Sequence, residues 1–168
     1  MGWNTGPAGP TGPTGPQGPS GVTDTSFGEV SRRSGTPATI TLTTAGTFYK
    51  WTDSAYSTSS GASDITASTA TDDLTIGADG RGWYRAQISV SFSGSGNALV
   101  HGAICVNTTP VIQFERKLGT GGDVGTATCG GFVLLEVGDV VDVRFSADSN
   151  NKTVTPEHCG LTLLRVGT

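Results

Sequence analysis

Trp83-Tyr84-Arg85-Ala86-Gln87-Ile88-Ser89-Val90-Ser91-Phe92-Ser93 alternates without a break. In an extended chain Tyr84, Ala86, Ile88, Val90 and Phe92 share one face, while Arg85, Gln87, Ser89 and Ser91 share the other. A period of two over this length is not the three-to-four spacing of an amphipathic helix. The stretch therefore predicts a long β-strand with one face in a core. Gly94-Ser95-Gly96-Asn97 follows as turn chemistry. Residues 99–106 then run apolar on both faces, which predicts a strand covered on both sides.

The pattern extends in both directions. Residues 38–42, 47–51, 74–76, 111–115, 127–137, 140–145 and 161–166 read as further strands, rich in β-branched and aromatic residues. Residues 52–71 are dominated by Ser, Thr, Ala and Asp and predict a surface loop carrying one short strand. Glycine-rich or Asp/Asn-rich links at 119–125, 138–139 and 148–152 separate the later strands. No helical period is present. Eight or more short strands with such spacing predict an all-β sandwich of the jelly-roll kind. Its core should contain Tyr84, Ile88, Val90, Phe92, Leu134 and Phe145.

The N-terminal part obeys a different period. Glycine falls at Gly6, Gly9, Gly12, Gly15, Gly18 and Gly21, and proline follows the first five of them. A strict three-residue glycine repeat is the requirement of a collagen-like triple helix, where only glycine fits at the axis shared by three chains. Proline presets φ for the extended strand and lowers the entropy cost of ordering it. A flexible linker has no reason to keep that register. Sixteen residues at about 3.1 Å each give a rod of roughly 50 Å. So short a rod is marginal alone, and the following domain is expected to hold the three chains in register. The organisation read from the sequence is an anchor peptide over residues 1–5, a triple-helical stalk over 6–21, a neck over 22–37 and a jelly-roll head over 38–168. The expected assembly is a homotrimer.

Composition narrows the function. The 168 residues leave about 140 for the head, enough for a sizeable core. A net charge of −4 and the absence of a basic stripe exclude nucleic acid as a partner. No apolar run approaches membrane-spanning length, and residues 1–20 lack the basic start and hydrophobic core of a signal peptide, so no membrane insertion is expected. Cys105, Cys129 and Cys159 are odd in number and unpatterned in spacing, which predicts buried thiols rather than a disulfide framework.

Catalytic chemistry is not encoded. His101 sits among apolar residues within a strand and reads as a core or interface histidine. His158-Cys159 lacks any CxxC or HxxxH companion, and Asp72-Asp73 and Asp123 fall in no EF-hand pattern, so neither metal nor cofactor is expected. No Gly-x-Ser-x-Gly elbow is present, and the 119–125 loop has neither a Walker lysine nor dinucleotide spacing. The chain reads as non-enzymatic.

Several segments resemble one family. Asp79-Gly80-Arg81-Gly82-Trp83-Tyr84 with Ile88-Ser89-Val90-Ser91-Phe92 resembles the Gly-x-Tyr-x-Phe strand of complement-type globular heads. Ile104-Cys105-Val106-Asn107 resembles their apolar strand ending in Asn. The run from Phe132 to Val143 is similar to their Leu-x-x-Gly-Asp-x-Val strand–turn–strand, and Leu161-Thr162-Leu163-Leu164 takes the place of the closing strand. The resemblance spans roughly residues 38–166 and, with the collagen-like stem, points to collagen-stalked, tumour-necrosis-factor-like heads. That group includes complement heads, spore-surface bristle proteins and bacteriophage fibre or decoration proteins. The resemblance implies a trimeric jelly roll whose protomers bury an apolar face around a threefold axis. Residues 99–106 and 132–137 are expected to fill the sandwich with one face and the trimer with the other.

Residues 1–23 carry no charged side chain, and Trp3 is their one large apolar group. Such a peptide can enter a protein pocket without desolvating ions, so Trp3 is the expected particle anchor. The expectation is a virion structural protein, a head-decoration or fibre protein, attached to capsid or tail proteins through its N-terminus. Its head would face outward, available to a host-surface glycan or receptor. The alternatives are a bristle on a bacterial spore or cell surface, or a glycan- or receptor-binding module.

Overall fold

The computed structural model describes residues 1–2, 26–59, 64–121 and 123–168. Trp3 and the glycine repeat lie outside the described residues. Those described form twelve strands and no helix: β1 (Phe27–Arg32), β2 (Ile40–Leu42), β3 (Tyr49–Lys50), β4 (Tyr56–Ser59), β5 (Ile65–Ser68), β6 (Asp73–Ile76), β7 (Gly82–Gly94), β8 (Leu99–Val106), β9 (Thr109–Lys117), β10 (Gly125–Leu135), β11 (Val140–Ala147) and β12 (Lys152–Gly167). They make two antiparallel six-stranded sheets. The first has the order β10-β7-β12-β1-β4 with β2 beside β12, and the second β5-β6-β11-β8-β9 with β3 beside β11. Consecutive strands alternate between sheets wherever the order crosses over, which is jelly-roll topology.

β7 is the strand the alternation predicts. Tyr84, Ala86, Ile88, Val90 and Phe92 are buried between the sheets, facing Val141, Val143 and Phe145 of β11 and Val100 and Ile104 of β8. Phe92 lies at the centre, its ring 6.1 Å from that of Phe114 and 6.2 Å from that of Phe145. Both rings are tilted against it, as offset aromatic pairs prefer. Leu161 and Leu163 of β12 extend the same layer.

The core expectation fails at one residue. Leu134 is 41% exposed, because β10 turns Val133 and Leu135 inward. The register pairs Val133 with buried Tyr84 and Leu134 with exposed Trp83. Phe132-Val133-Leu134-Leu135 is apolar throughout, so the sequence sets no phase there.

The neck assignment of 22–37 is also corrected. Phe27–Arg32 is β1, paired with β12 from Phe27↔Leu164 to Arg32↔Cys159 and with β4 on its other edge. The head therefore starts at or before Phe27. Only Val30 of this strand is a large apolar residue facing the core, and Gly28 sits bare against Ile65 and Leu74. Such a strand has no hydrophobic alternation to read. β12 likewise starts at Lys152, ahead of its apolar part, and accommodates Pro156 at a bulge between Pro156 and His158. A bulge is where a proline can sit within a sheet.

The sandwich closes along one side where β9 and β10 approach. Large residues of β9 pass over glycines: Phe114 lies on Gly102, Ile112 on Gly131 and Arg116 on Gly125. The Arg116 guanidinium donates from Nη1 to the Thr126 carbonyl at 3.1 Å.

Candidate assembly face

The outward face of the first sheet is built by register. Phe132 of β10, Arg85 of β7, Leu164 of β12 and Phe27 of β1 are successive cross-strand partners and form one row. Beside it, Leu134 pairs with Trp83. In the other direction come Gly130, Gln87, Thr162 and Glu29, then Thr128, Ser89, Gly160 and Ser31. One end of the face is thus aromatic and aliphatic, and the rest small and polar. Phe132 is 68% exposed and Trp83 47%, with Phe27, Leu134, Leu164 and Val166 exposed around them. Single exposed apolar residues are ordinary, but a contiguous group on a flat sheet is the mark of an interaction surface.

The apolar end is also the end at which the chain enters the head. β1 begins there, antiparallel to the last residues of β12. The Arg165 amide donates to the Ser26 carbonyl at 2.9 Å, and the Ser26 hydroxyl donates to the Asp64 carboxylate. Arg165 Nη2 donates to the Arg81 carbonyl at 2.6 Å, and Arg81 pairs with Glu136 at 2.7 Å. The Tyr84 hydroxyl donates to the Gly80 carbonyl at 2.6 Å. These contacts fix the base from which the N-terminal segment departs.

At the border between apolar and polar rows lies a cleft of about 480 Å³, lined by Arg85, Gln87, Thr128, Gly130, Gly131 and Phe132. Its floor is bare because a β-carbon on Gly130 would stand 2.8 Å from the Ala86 carbonyl oxygen.

The expectation that strands 99–106 and 132–137 each offer a second face to a trimer divides. Phe132 and Leu134 are available for it. Ala103 and Cys105 of β8 are already buried within the chain. They lie on the outward face of the second sheet beside a charged layer. There Arg144 grips Asp142 through Nε and Nη2, both at 2.8 Å, and Lys50 Nζ lies 2.8 Å from Asp73 and 3.6 Å from Asp142. Small residues on β8 make room for that layer. The sequence hides it because Lys50, Asp73, Asp142 and Arg144 come from three strands.

The remaining candidates take structural places. His101 is half-buried with Nδ1 3.8 Å from Glu115, while His158 stands exposed opposite Ser91 on the first sheet. They do not converge. Asp72 accepts the Ser54 amide at 2.9 Å and Asp123 accepts the Gly119 amide at 3.0 Å, so both are used in loop closure. Among the described residues no three metal-ligating side chains gather. The cysteines are free thiols. Cys129 and Cys159 pair with Ile88 and Val90 on opposite edges of β7. Two strand spacings, about 10 Å, separate them, beyond disulfide reach. Burial pushes the Cys105 thiol up to about 12, and raises Cys129 and Cys159 as well. None is poised as a nucleophile.

No protein-family model and no curated protein sequence matches the chain. Solved structures do. Murine APRIL superposes over 85% of this chain and 100% of its own, with a TM-score of 0.55 at 9% identity. The Eiger tumour-necrosis-factor protein of S. frugiperda gives 0.55 at 11% identity over 84% of this chain and 92% of its own. The globular domain of zebrafish complement 1qA gives 0.51 at 14% identity over 86% and 100%. At such identities the likeness is one of fold, and the fold is the jelly roll of tumour-necrosis-factor-like and complement-type heads.

Proposed function

We propose that the chain is one subunit of a homotrimeric, non-enzymatic virion surface protein, a head-decoration or fibre protein. Residues 1–5 attach it to capsid or tail proteins, residues 6–21 form a collagen-like stalk, and the head projects outward with its far-end loops open to a host-surface glycan or receptor. The observation that carries the trimer is a coincidence of position. The exposed group of Phe27, Trp83, Phe132, Leu134 and Leu164 lies at the end of the sheet where β1 begins, six residues after the last glycine of the repeat in sequence. A triple helix delivers three heads side by side at that end, each with an apolar face that another copy can cover. Chemistry supports attachment through the N-terminus. Residues 1–23 bring no side-chain charge to desolvate, and three Trp3 side chains on one trimer act together by avidity.

The test has two parts. Sedimentation of the intact chain should give a trimer; a monomer would remove the basis of the reading. Trp3→Ala, or deletion of residues 1–5, should leave the trimer intact and deplete the protein from purified particles. Undiminished incorporation would place the attachment in the head, and recovery with spore or cell-envelope material would replace the virion by a cell surface.

A further inference from the structure

Arg85 differs from every other arginine of the chain. Arg32, Arg33, Arg81, Arg116, Arg144 and Arg165 each donate to a carboxylate or a carbonyl. Arg85 makes no side-chain hydrogen bond or ion pair among the described residues, and neither does its cleft neighbour Gln87. The nearest acid on the same face is Glu29, two strands away and engaged by Arg33 at 2.6 Å. The row that holds Arg85 is otherwise Phe132, Leu164 and Phe27.

An unpaired guanidinium is harmless in water. On a face that another copy covers it is not, because burial removes its hydration and leaves its charge uncompensated. The cleft offers a remedy. Gln87 follows Arg85 on the same face of β7, and the Thr128 hydroxyl, which makes only a 3.4 Å bond to Ser89, lines the far end of the cleft. The bare floor at Gly130 leaves room for a ligand. A planar fork of N–H donors beside a neutral amide is a donor set suited to an oxyanion.

We infer that, in the assembled head, the Arg85 cleft binds a small oxyanion of the phosphate or carboxylate class, and that assembly is linked to its binding. The inference rests on the trimer proposed above. The anion supplies the counter-charge that no described residue of the chain gives to Arg85. Gln87 orients it, and Phe132 shields it from water.

Inorganic phosphate is the probe, added to the intact chain against chloride at equal ionic strength, with the dissociation equilibrium read by sedimentation. Phosphate at a hundredfold excess over its dissociation constant should shift assembly by about a hundredfold per site. Arg85→Gln should abolish the phosphate effect while the head stays folded by circular dichroism, and Arg85→Lys should retain part of it. A trimer indifferent to phosphate overturns the site. So does a trimer that Arg85→Gln weakens equally in phosphate and chloride, since the counter-charge would then be a carboxylate of the neighbouring copy. A chain that stays monomeric in both salts fails the trimer reading instead, which separates the two failures.

Discussion

Phe114 occupies the space where Gly102 would carry a side chain. The two residues are cross-strand partners on β8 and β9, and the far end of the ring lies over the glycine, with the ring centroid 6.1 Å from that of Phe92. Gly102→Ala should therefore act as an overpacking change and cost about 1–3 kcal/mol in a denaturant titration. The cause is testable by a double-mutant cycle. Phe114→Ala removes the obstruction, so the pair should cost less than the sum of the two single changes. Strict additivity would mean that Gly102 matters for backbone freedom and not for the ring.

Phe92 links the two sheets, being fully buried with its ring against Phe114 of β9 and Phe145 of β11. Phe92→Ala should cost about 3–5 kcal/mol, since both partners are held by their own strands and cannot collapse into the gap. A loss below about 1 kcal/mol in the same titration would show that the core can repack around it.

How much of this was legible in the sequence depends on whether a strand carries its own phase. β7 does: polar residues alternate with apolar ones, and the inward face follows from the alternation down to Phe92. β10 does not, because Phe132 to Leu135 are all apolar, and only the register with β7 decides that Leu134 points outward. β1 has almost no apolar content to alternate, so Phe27–Arg32 read as neck although it lies within the sheet. The assembly face was hidden for a related reason. The alternation of β7 already turns Trp83 outward with Arg85, but Phe132 lies in a run without phase, and the group they form emerges only when the strands are set side by side. The charged layer of Lys50, Asp73, Asp142 and Arg144 was invisible for the same cause.

The buried thiols give the head an alkaline weakness. Burial holds Cys105 protonated up to about 12, against 9.0 for a free thiol, and Cys159 is raised too. An unfolded chain releases these protons near pH 9, whereas the folded chain keeps them. The folded state then binds more protons, so stability falls as pH rises. The contribution is complete below about pH 9 and is lost progressively towards pH 12, at about 1.4 kcal/mol per pH unit for each thiol. Tyrosines and lysines titrate in the same range, so the useful quantity is the difference between wild type and Cys105→Ala. Denaturant titrations at about pH 8 and about pH 10.5 should show the wild type losing more stability than the variant. Equal losses would mean that the Cys105 thiol ionises freely in the folded head.

The final prediction separates the head's contribution to assembly from that of the stalk. Phe132 is the most exposed aromatic of the described head and lies beside the Leu134–Trp83 pair. Phe132→Asp would place a carboxylate in the middle of the surface that a second copy desolvates in the proposed trimer, a change that costs far more in an interface than in water. The isolated fold should tolerate it, because the side chain makes no contribution to the buried core. The full chain carrying Phe132→Asp should therefore sediment as a folded monomer. Its glycine repeat should also lose triple-helical circular dichroism, since five Gly-Pro triplets without a registering head are too short to hold together. Gly12→Val makes the reciprocal change, forcing a side chain into the axis of the proposed stalk, and should unwind the repeat while the heads remain trimeric. If Gly12→Val also dissociated the heads, the stalk would be the nucleus of assembly and the apolar face only its consequence. If Phe132→Asp left the trimer intact, the chains would meet through another surface altogether.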